Sequence, residues 1–384
     1  MKSMKNTAMP VQSNNTSIQE YYYEHPQIEN IICCYDDLSH NLLISWQQAL
    51  GGLPWPKSKI IIVPYDKIKF TVNYTPFTLD EHLDYARQTG YFVVIDKTVE
   101  HIHDEFDFGT LHTNLKKHQL LDRCVVLDNT KDETLFEQYD VPHMYGPFYP
   151  LFYIGMSKRI PRYVAEPKHM FLCLNNYSKP HRVATISTLQ KLNMLKKTSW
   201  SFREQALPTN MDYNVNKIIS NWQVKDFNFE SPKHLDQGAD NFDQEANMAE
   251  LYANSVTSIA TETDYLFDKT QFATEKCYNA IFHANYLIAV SCKGTIDVLR
   301  EHGLDVYDDI IDHSYDSVTD PIERFKHIES AIVQHYAGSG YKQFRTTIAP
   351  RALRNQILLT TKQHWAKEID HWGWKAYKEG SWGQ

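Results

Sequence analysis

A series of short apolar runs constrains this chain more than any other feature: ENIICCY, KIIIVPY, GYFVVIDK, RCVVLDN, MFLCLNN, SVTSIAT and YLIAVSC. Runs of this length, rich in β-branched residues and bounded by turn formers, read as strands buried on both faces. Between several of them lie amphipathic stretches such as LDEHLDYARQTG and HRVATISTLQKLNML, which carry a helical period. Buried strands alternating with such helices predict an α/β fold: parallel sheets with helices on both faces.

The strands fall into two sets, one over about residues 28–130 and one from Met170 onward. The passage VPHMYGPFYPLFYIGMSKRIPRYVAEPKH between them is rich in proline, which forbids a regular helix or a central strand, so it reads as a connector. The expected organisation is a flexible N-terminus over 1–25, a Rossmann-like domain over 26–165 and a second one over 166–345. A C-terminal helix over 346–384 would return to brace the first domain. The acidic stretch FNFESPKHLDQGADNFDQEAN reads as a long loop inserted in the second domain. Two α/β domains suit a chain of 384 residues, and ligands of such sheets sit outside the carboxyl ends of the strands.

Composition excludes several classes. With 42% apolar residues and no apolar run near the length of a membrane span, the sequence reads as globular, without a span or a secretory leader. The six cysteines lack any C-x-x-C pair, and Cys33, Cys124, Cys173 and Cys292 sit in or beside strand-like runs. They read as buried small hydrophobes, so a reducing cytoplasm is expected, that of the host cell if the chain is viral. A net charge of −8 argues against a strong global pull on polyanions.

Two stretches carry chemistry. In MFLCLNNYSKPHRVATISTLQKL a strand runs through Asn175 into Lys179, Pro180, His181 and Arg182, and then into a helix. Proline suits a first helical turn, and cations where the helix dipole is already positive suit a bound anion such as phosphate. A solvated basic turn without a ligand fits the same residues. In FATEKCYNAIFHANYLIAV, Thr274 reads as an N-cap with Glu275 and Lys276 in the first turn. A lysine set against the dipole calls for a reason, and a diphosphate would supply one; Glu275 would accept from paired ribose hydroxyls. Asn279 follows one turn later on the same side, and Glu262 follows the run SVTSIAT. An exposed Glu–Lys pair on an amphipathic helix is the plain alternative.

The order SIATET, FATEKCYNAIFHANYLIAV, GTIDVLREHG resembles the donor-binding half of α1,3-fucosyltransferase-like glycosyltransferases, over about residues 168–335. NNYSKPHR is similar to the turn that supplies a phosphate-binding arginine in that group. The resemblance implies a GT-B architecture, two Rossmann-like domains facing across a cleft, with the nucleotide-sugar held mainly by the second. It places Arg182 and Lys276 on the diphosphate, Glu275 on the ribose and Glu262 near the sugar. It draws the catalytic base from the first domain, where Asp36, Asp37, Glu105 and Asp107 are the candidates. The donor sugar stays open, because CYNAIFHANYLIAV stands where a Gly-rich, Pro-containing approach is usual in that family.

No D-x-D triplet occurs, so no metal is expected, and Lys and Arg would stabilise the departing phosphate. His101, His103 and His112 lack the ligand spacing of a zinc site, and Asp308, Asp309, Asp312 and Asp316 lack the glycine and closing glutamate of a calcium loop. The aspartates read as capping and solvated positions. The expectation is an inverting, metal-independent glycosyltransferase that uses a nucleotide-sugar as co-substrate and needs no other cofactor. The acceptor would be a glycan, or a hydroxymethylated base in viral DNA. A non-catalytic nucleotide-sugar-binding protein and a two-domain oxidoreductase are the other classes, the last weakened by the missing glycine fingerprint. Oligomeric state is not legible.

Overall fold

The computed structural model describes residues 17–24, 31–34, 59–65, 77–97, 105–128, 138–139, 141–145, 166–175, 179–202, 244–266, 273–338, 344–361 and 364–365. These fall into two compact units, one ending at residue 145 and one running from 166 to 365. Both are α/β, built on parallel strands. Among the described residues no helix is long and apolar enough to cross a membrane.

The first unit holds a six-stranded sheet in sequential order: β1 (Tyr22–Glu24), β2 (Ile31–Cys34), β3 (Ile60–Pro64), β4 (Phe92–Lys97), β5 (Cys124–Asp128) and β6 (His143–Tyr145). All neighbours run parallel except β1, which pairs antiparallel with β2. Strand side chains alternate between faces. Ile61, Val63, Val93, Ile95, Cys124 and Val126 share one core with Leu83 of helix α2 (Leu79–Thr89) and with Phe108 and Leu111 of helix α3 (Glu105–Lys117). The alternate residues Ile60, Ile62, Phe92, Val94, Val125 and Leu127 are buried as well, as expected for strands covered on both faces. Helix α2 begins at a reciprocal capping box, Thr78 with Glu81, and ends at Gly90, whose φ of 71° is the left-handed conformation that glycine adopts without strain.

The structure departs from expectation in three places. Part of the N-terminal segment expected to be flexible is ordered: helix α1 (Ile18–Tyr21) starts at a Ser17–Glu20 capping box and leads into β1. Aromatic burial fixes it, with Tyr22 hydrogen-bonded to His82 Nδ1 at 2.6 Å and stacked on Tyr85. Within the connector, residues 143–145 form β6, an edge strand that starts just after Pro142, where the missing N–H costs nothing. The third lies in the C-terminal helix, whose described part packs on the second unit. The expected insertion over 227–247 lies outside the described residues except for its last few positions.

The second unit holds a four-stranded, all-parallel sheet in the order β10-β9-β7-β8, with β7 His169–Asn175, β8 Thr198–Phe202, β9 Ser255–Thr261 and β10 Tyr286–Val290. The chain leaves β7 for β8 through α4 (Pro180–Lys191). It then returns past β7 through α5 (Gln244–Ala253) to β9, and goes on through α6 (Glu275–Phe282) to β10. The direction of strand addition therefore reverses between β7 and β9, and in open parallel sheets that reversal opens a crevice at the carboxyl ends. Helices α7 (Thr295–Glu301), α8 (Pro321–Gly338) and α9 (Phe344–Thr360) follow.

Helix α9 was expected to return to the first domain, but its described part packs on the second unit. Gln356 Nε2 donates to the Phe282 carbonyl at 2.7 Å, Asn355 exchanges hydrogen bonds with the backbone of Asp305, and buried Trp365 sits edge-on to His302. Ile348, Ala352, Asn355, Gln356 and Leu359 form one buried stripe at helical spacing, and that stripe finds its partners on α6 and the 305–309 turn. Residues 366–384, including HWGWKAY, lie outside the described residues.

Buried neutral histidines brace both units. His82 and His335 are each pulled by burial to a pKa of about 4, and His335 Nε2 is bonded to Thr257 Oγ1 at 2.7 Å, tying α8 to β9. A group that ionises more readily unfolded than folded withdraws stability as pH falls from its ordinary value near 6.5 toward its folded value. For His335 that loss is on the order of 3 kcal/mol across the window. Burial also holds His283 to about 4 and His181 well below the ordinary range. Asp316 acts in the opposite sense, since burial raises it to about 6 and its contribution fades as pH rises through that value. Together with His313, also lowered by burial, these histidines outweigh one aspartate. Denaturant melts of the chain should therefore lose stability steadily from pH 6.5 to 4, and His335→Gln should make that profile shallower; a pH-independent melt would remove the neutral-histidine account.

Candidate functional site

The first half of the site comes from the start of α4. Lys179 is the N-cap, Pro180 the first helical residue, and the Lys179 carbonyl accepts from the amides of Arg182 and Val183. This turn delivers three basic side chains to the loop that follows β9. His181 Nε2 donates to the Glu262 carbonyl at 2.9 Å, Arg182 Nη2 to the same oxygen at 3.2 Å, and Lys179 Nζ to the Thr263 carbonyl at 2.6 Å. The His181 ring stacks on Tyr265 at 5.3 Å and 15°. Arg324 of α8 lies 4.7 Å from the Tyr265 ring centre and donates to the Tyr265 carbonyl.

The second half comes from the start of α6. Thr274 is the N-cap, as its sequence position predicted, and its hydroxyl accepts from the Lys276 amide at 3.4 Å. The Glu262 carboxylate closes on this residue: Oε1 accepts from the Thr274 amide at 2.9 Å, and Oε2 accepts from the Thr274 hydroxyl. Lys276 Nζ donates to Thr274 Oγ1 at 3.2 Å and to Glu275 Oε1 at 2.7 Å, and lies 4.0 Å from Glu262 Oε2. The backbone of Glu262 is held on the sheet side too, its amide donating to the Val290 carbonyl at 3.0 Å. Two helix N-termini thus meet around one residue at the carboxyl end of β9, beside the strand-order reversal.

Exposure separates the roles. The Glu262 side chain is 1% exposed and Arg182 4%, whereas Lys276 is 27% and Glu275 40% exposed. Lys276 and Glu275 therefore present charge to solvent, while Glu262 and Arg182 sit behind; half-buried Lys179 is held by the Thr263 carbonyl. Burial pulls on the Lys276 ammonium, but the carboxylates of Glu275 and Glu262 outweigh it and leave its pKa above the ordinary value. Burial likewise pushes Glu275 up, and the Lys276 ammonium overcomes it, so its carboxyl lies below the usual range. Burial lowers the Arg182 guanidinium against the pull of Glu262 and Glu275. His181 is neutral, since burial and the Arg182 charge both oppose its protonation.

The structure brings together Lys179, His181, Arg182, Glu262, Thr274, Glu275 and Lys276, with His181 a neutral donor to the Glu262 carbonyl where the sequence suggested a cation. Glu262 was expected near a sugar, yet both its oxygens are engaged by Thr274. Asn175 is buried and ties three strand ends: its Oδ1 accepts from Thr261 Oγ1 at 2.7 Å, and its amides donate toward Cys173 and to the Ser201 carbonyl. Asn279 lies one turn beyond Glu275, buried. Asp36 and Asp37 lie outside the described residues, as do the side chains of Glu105 and Asp107, whose backbones begin α3. His101 and His103 are also outside them, and the ring of His112 lies 5.5 Å from that of Tyr139.

The C-terminal aspartates cap or pair. Asp308 binds Arg300, Asp309 binds Arg351, Asp312 caps Ser314, and Asp316 accepts from the amides of Ile296 and Asp297 at the head of α7. Among the described residues no three His, Cys, Asp or Glu side chains gather as a metal would require. Sequence reading missed Tyr265 and Arg324. The only trace of their role was an aromatic residue shortly after a strand end, and the partner arginine lies 59 residues further on. No protein-family model matches this chain, and no curated protein sequence matches it either.

Proposed function

We propose that the protein is a glycosyltransferase that moves a sugar from a nucleotide-sugar donor to a hydroxyl acceptor, with inversion, the donor being held by the second unit. One observation carries the reading: the N-termini of α4 and α6 converge at the strand-order reversal and present Lys276 and Glu275 to solvent, with Arg182 buried behind them. Parallel sheets bind ligands at this position, and helix N-termini favour anions there. The sequence resemblance to α1,3-fucosyltransferase-like enzymes over the same residues supports the same assignment.

Breaking a sugar–diphosphate bond builds negative charge on the departing phosphate, and a cation fixed there lowers the barrier. Lys276 is placed to do this, because Thr274 and Glu275 fix its ammonium and two carboxylates keep it protonated. Arg182 adds field from behind. The rim pair of Glu275 and Lys276 can open without great loss, since a half-exposed ion pair contributes little by itself. On opening, Glu275 would take two ribose hydroxyls while Lys276 takes the phosphate. In this reading the two units form a GT-B pair and the first supplies the base and the acceptor surface. The acceptor is a glycan hydroxyl or a hydroxymethylated base in DNA.

Thermal-shift measurements against GDP, UDP, ADP and CMP and their sugars test the assignment directly. A saturating nucleotide at one hundred times its Kd should stabilise the fold by about 2.7 kcal/mol. If none of them raises the melting temperature, the assignment fails. With the donor found, Lys276→Ala should lower turnover more than ten-fold, on the order of 1.4 kcal/mol or more in barrier. Wild-type turnover would remove Lys276 from the phosphate. Glu275→Gln should raise the donor KM more than it lowers kcat, and an unchanged KM would take the ribose away from that residue.

A further inference from the structure

We infer that Glu262 is a positioning residue that acts on Lys276 through the hydroxyl of Thr274 and does not itself touch substrate. The inference deepens the proposed function, because Lys276 is the group assigned there to the diphosphate.

A threonine hydroxyl has one proton to give and two lone pairs to receive with. At Thr274 the proton goes to Glu262 Oε2. The lone pairs face Lys276 twice, receiving its ammonium at 3.2 Å and its amide at 3.4 Å. A carboxylate can only accept, so Glu262 fixes the direction of the hydroxyl, and that direction lets the oxygen receive from the ammonium. The other carboxylate oxygen takes the Thr274 amide at 2.9 Å, which sets the first turn of α6. The contact between Glu262 and Lys276 themselves is longer, 4.0 Å, so the short path runs through Thr274. Glu262 can hold this place because its own backbone is immobilised, by Val290 through the amide and by His181 and Arg182 through the carbonyl. At 1% exposure, with both oxygens used, it has no face for a sugar.

Glu262→Gln keeps the shape but replaces one acceptor oxygen with an N–H₂ group. Facing Thr274 Oγ1, that group would donate, turning the hydroxyl proton toward the ammonium and setting donor against donor. Thr274→Val keeps the carboxylate and removes the hydroxyl, while Thr274→Ser restores it. Two measurements on the full chain decide the matter. The first is the pH profile of Lys276 acetylation followed by mass spectrometry, with surface residue Lys196 as internal reference. The charged groups that act on Lys276 are Glu275, Glu262 and Arg182, and none of them is altered in the threonine variants. The second is calorimetric binding of inorganic pyrophosphate.

Glu262→Gln and Thr274→Val should both shift the Lys276 profile to lower pH and weaken pyrophosphate at least ten-fold, with Thr274→Ser returning both to wild type. A Lys276 profile unchanged in Thr274→Val overturns the inference, even where Glu262→Gln shifts it, because the carboxylate would then act by direct charge alone. Should Glu262→Gln not fold, the two threonine variants decide by themselves. Failure of the wild type to bind pyrophosphate counts against the proposed function, while the Lys276 profile still settles the role of Glu262.

Discussion

Everything local to the candidate site depends on a carboxylate buried at the end of β9. Taking such a group out of water costs several kcal/mol unless hydrogen bonds and opposite charge compensate it. Glu262 is compensated by two donors from Thr274 and by the neighbouring ammonium and guanidinium. The compensation is reciprocal, since the same bonds define where α6 begins, while the backbone carbonyl of Glu262 receives His181 and Arg182 from α4. Leaving that charge unpaired would release the N-terminus of α6 and the 262–265 loop together. Stability and site geometry are therefore the same set of interactions here.

Strand order explains why this happens in one unit and not visibly in the other. In the first sheet the order follows the chain, so α2 and α3 cross between neighbours in one direction and share one core. In the second sheet the chain doubles back past β7, and the N-termini of α4 and α6, on either side of the reversal, meet around Glu262 at the end of β9. Neither α4 nor α6 alone would gather these charges. Set beside each other at the end of β9, their first turns bring Lys179, His181, Arg182, Glu275 and Lys276 around Glu262. The aromatic column of His181 on Tyr265, with Arg324 against the same ring, locks the loop between them to α8.

The sequence stated some of this plainly. SVTSIAT is β9 residue for residue, and Thr274 caps α6, because apolar runs and caps are local signals. The strand TSWSF was not legible, since its hydroxyl residues look polar until an edge position beside β7 gives them partners such as the Asn175 amide. The brief strands β1 and β6 were hidden for a related reason: three residues carry no period, and only pairing defines them. At the site, residue types were legible and directions were not. The order K-P-H-R announced cations at a helix start. That His181 and Arg182 turn toward a carbonyl 81 and 80 residues away is a property of sheet order, which no local pattern encodes.

That difference bears on how the basic cluster works. Had Lys179, His181 and Arg182 all pointed outward, the site would be a patch of mobile charge, screened by salt and costly to order around a ligand. Instead His181 is neutral, Arg182 is buried and Lys179 is tied to a carbonyl, so these residues build the frame. The outward charge falls to Lys276, held by a hydroxyl and a carboxylate behind it and balanced by Glu275 at the rim. Held from behind by the Thr274 hydroxyl, the ammonium can keep its place while the rim carboxylate turns away, and preorganisation of that kind is what makes electrostatic stabilisation effective. The buried acid behind the lysine therefore matters as much to the proposed reaction as the lysine itself.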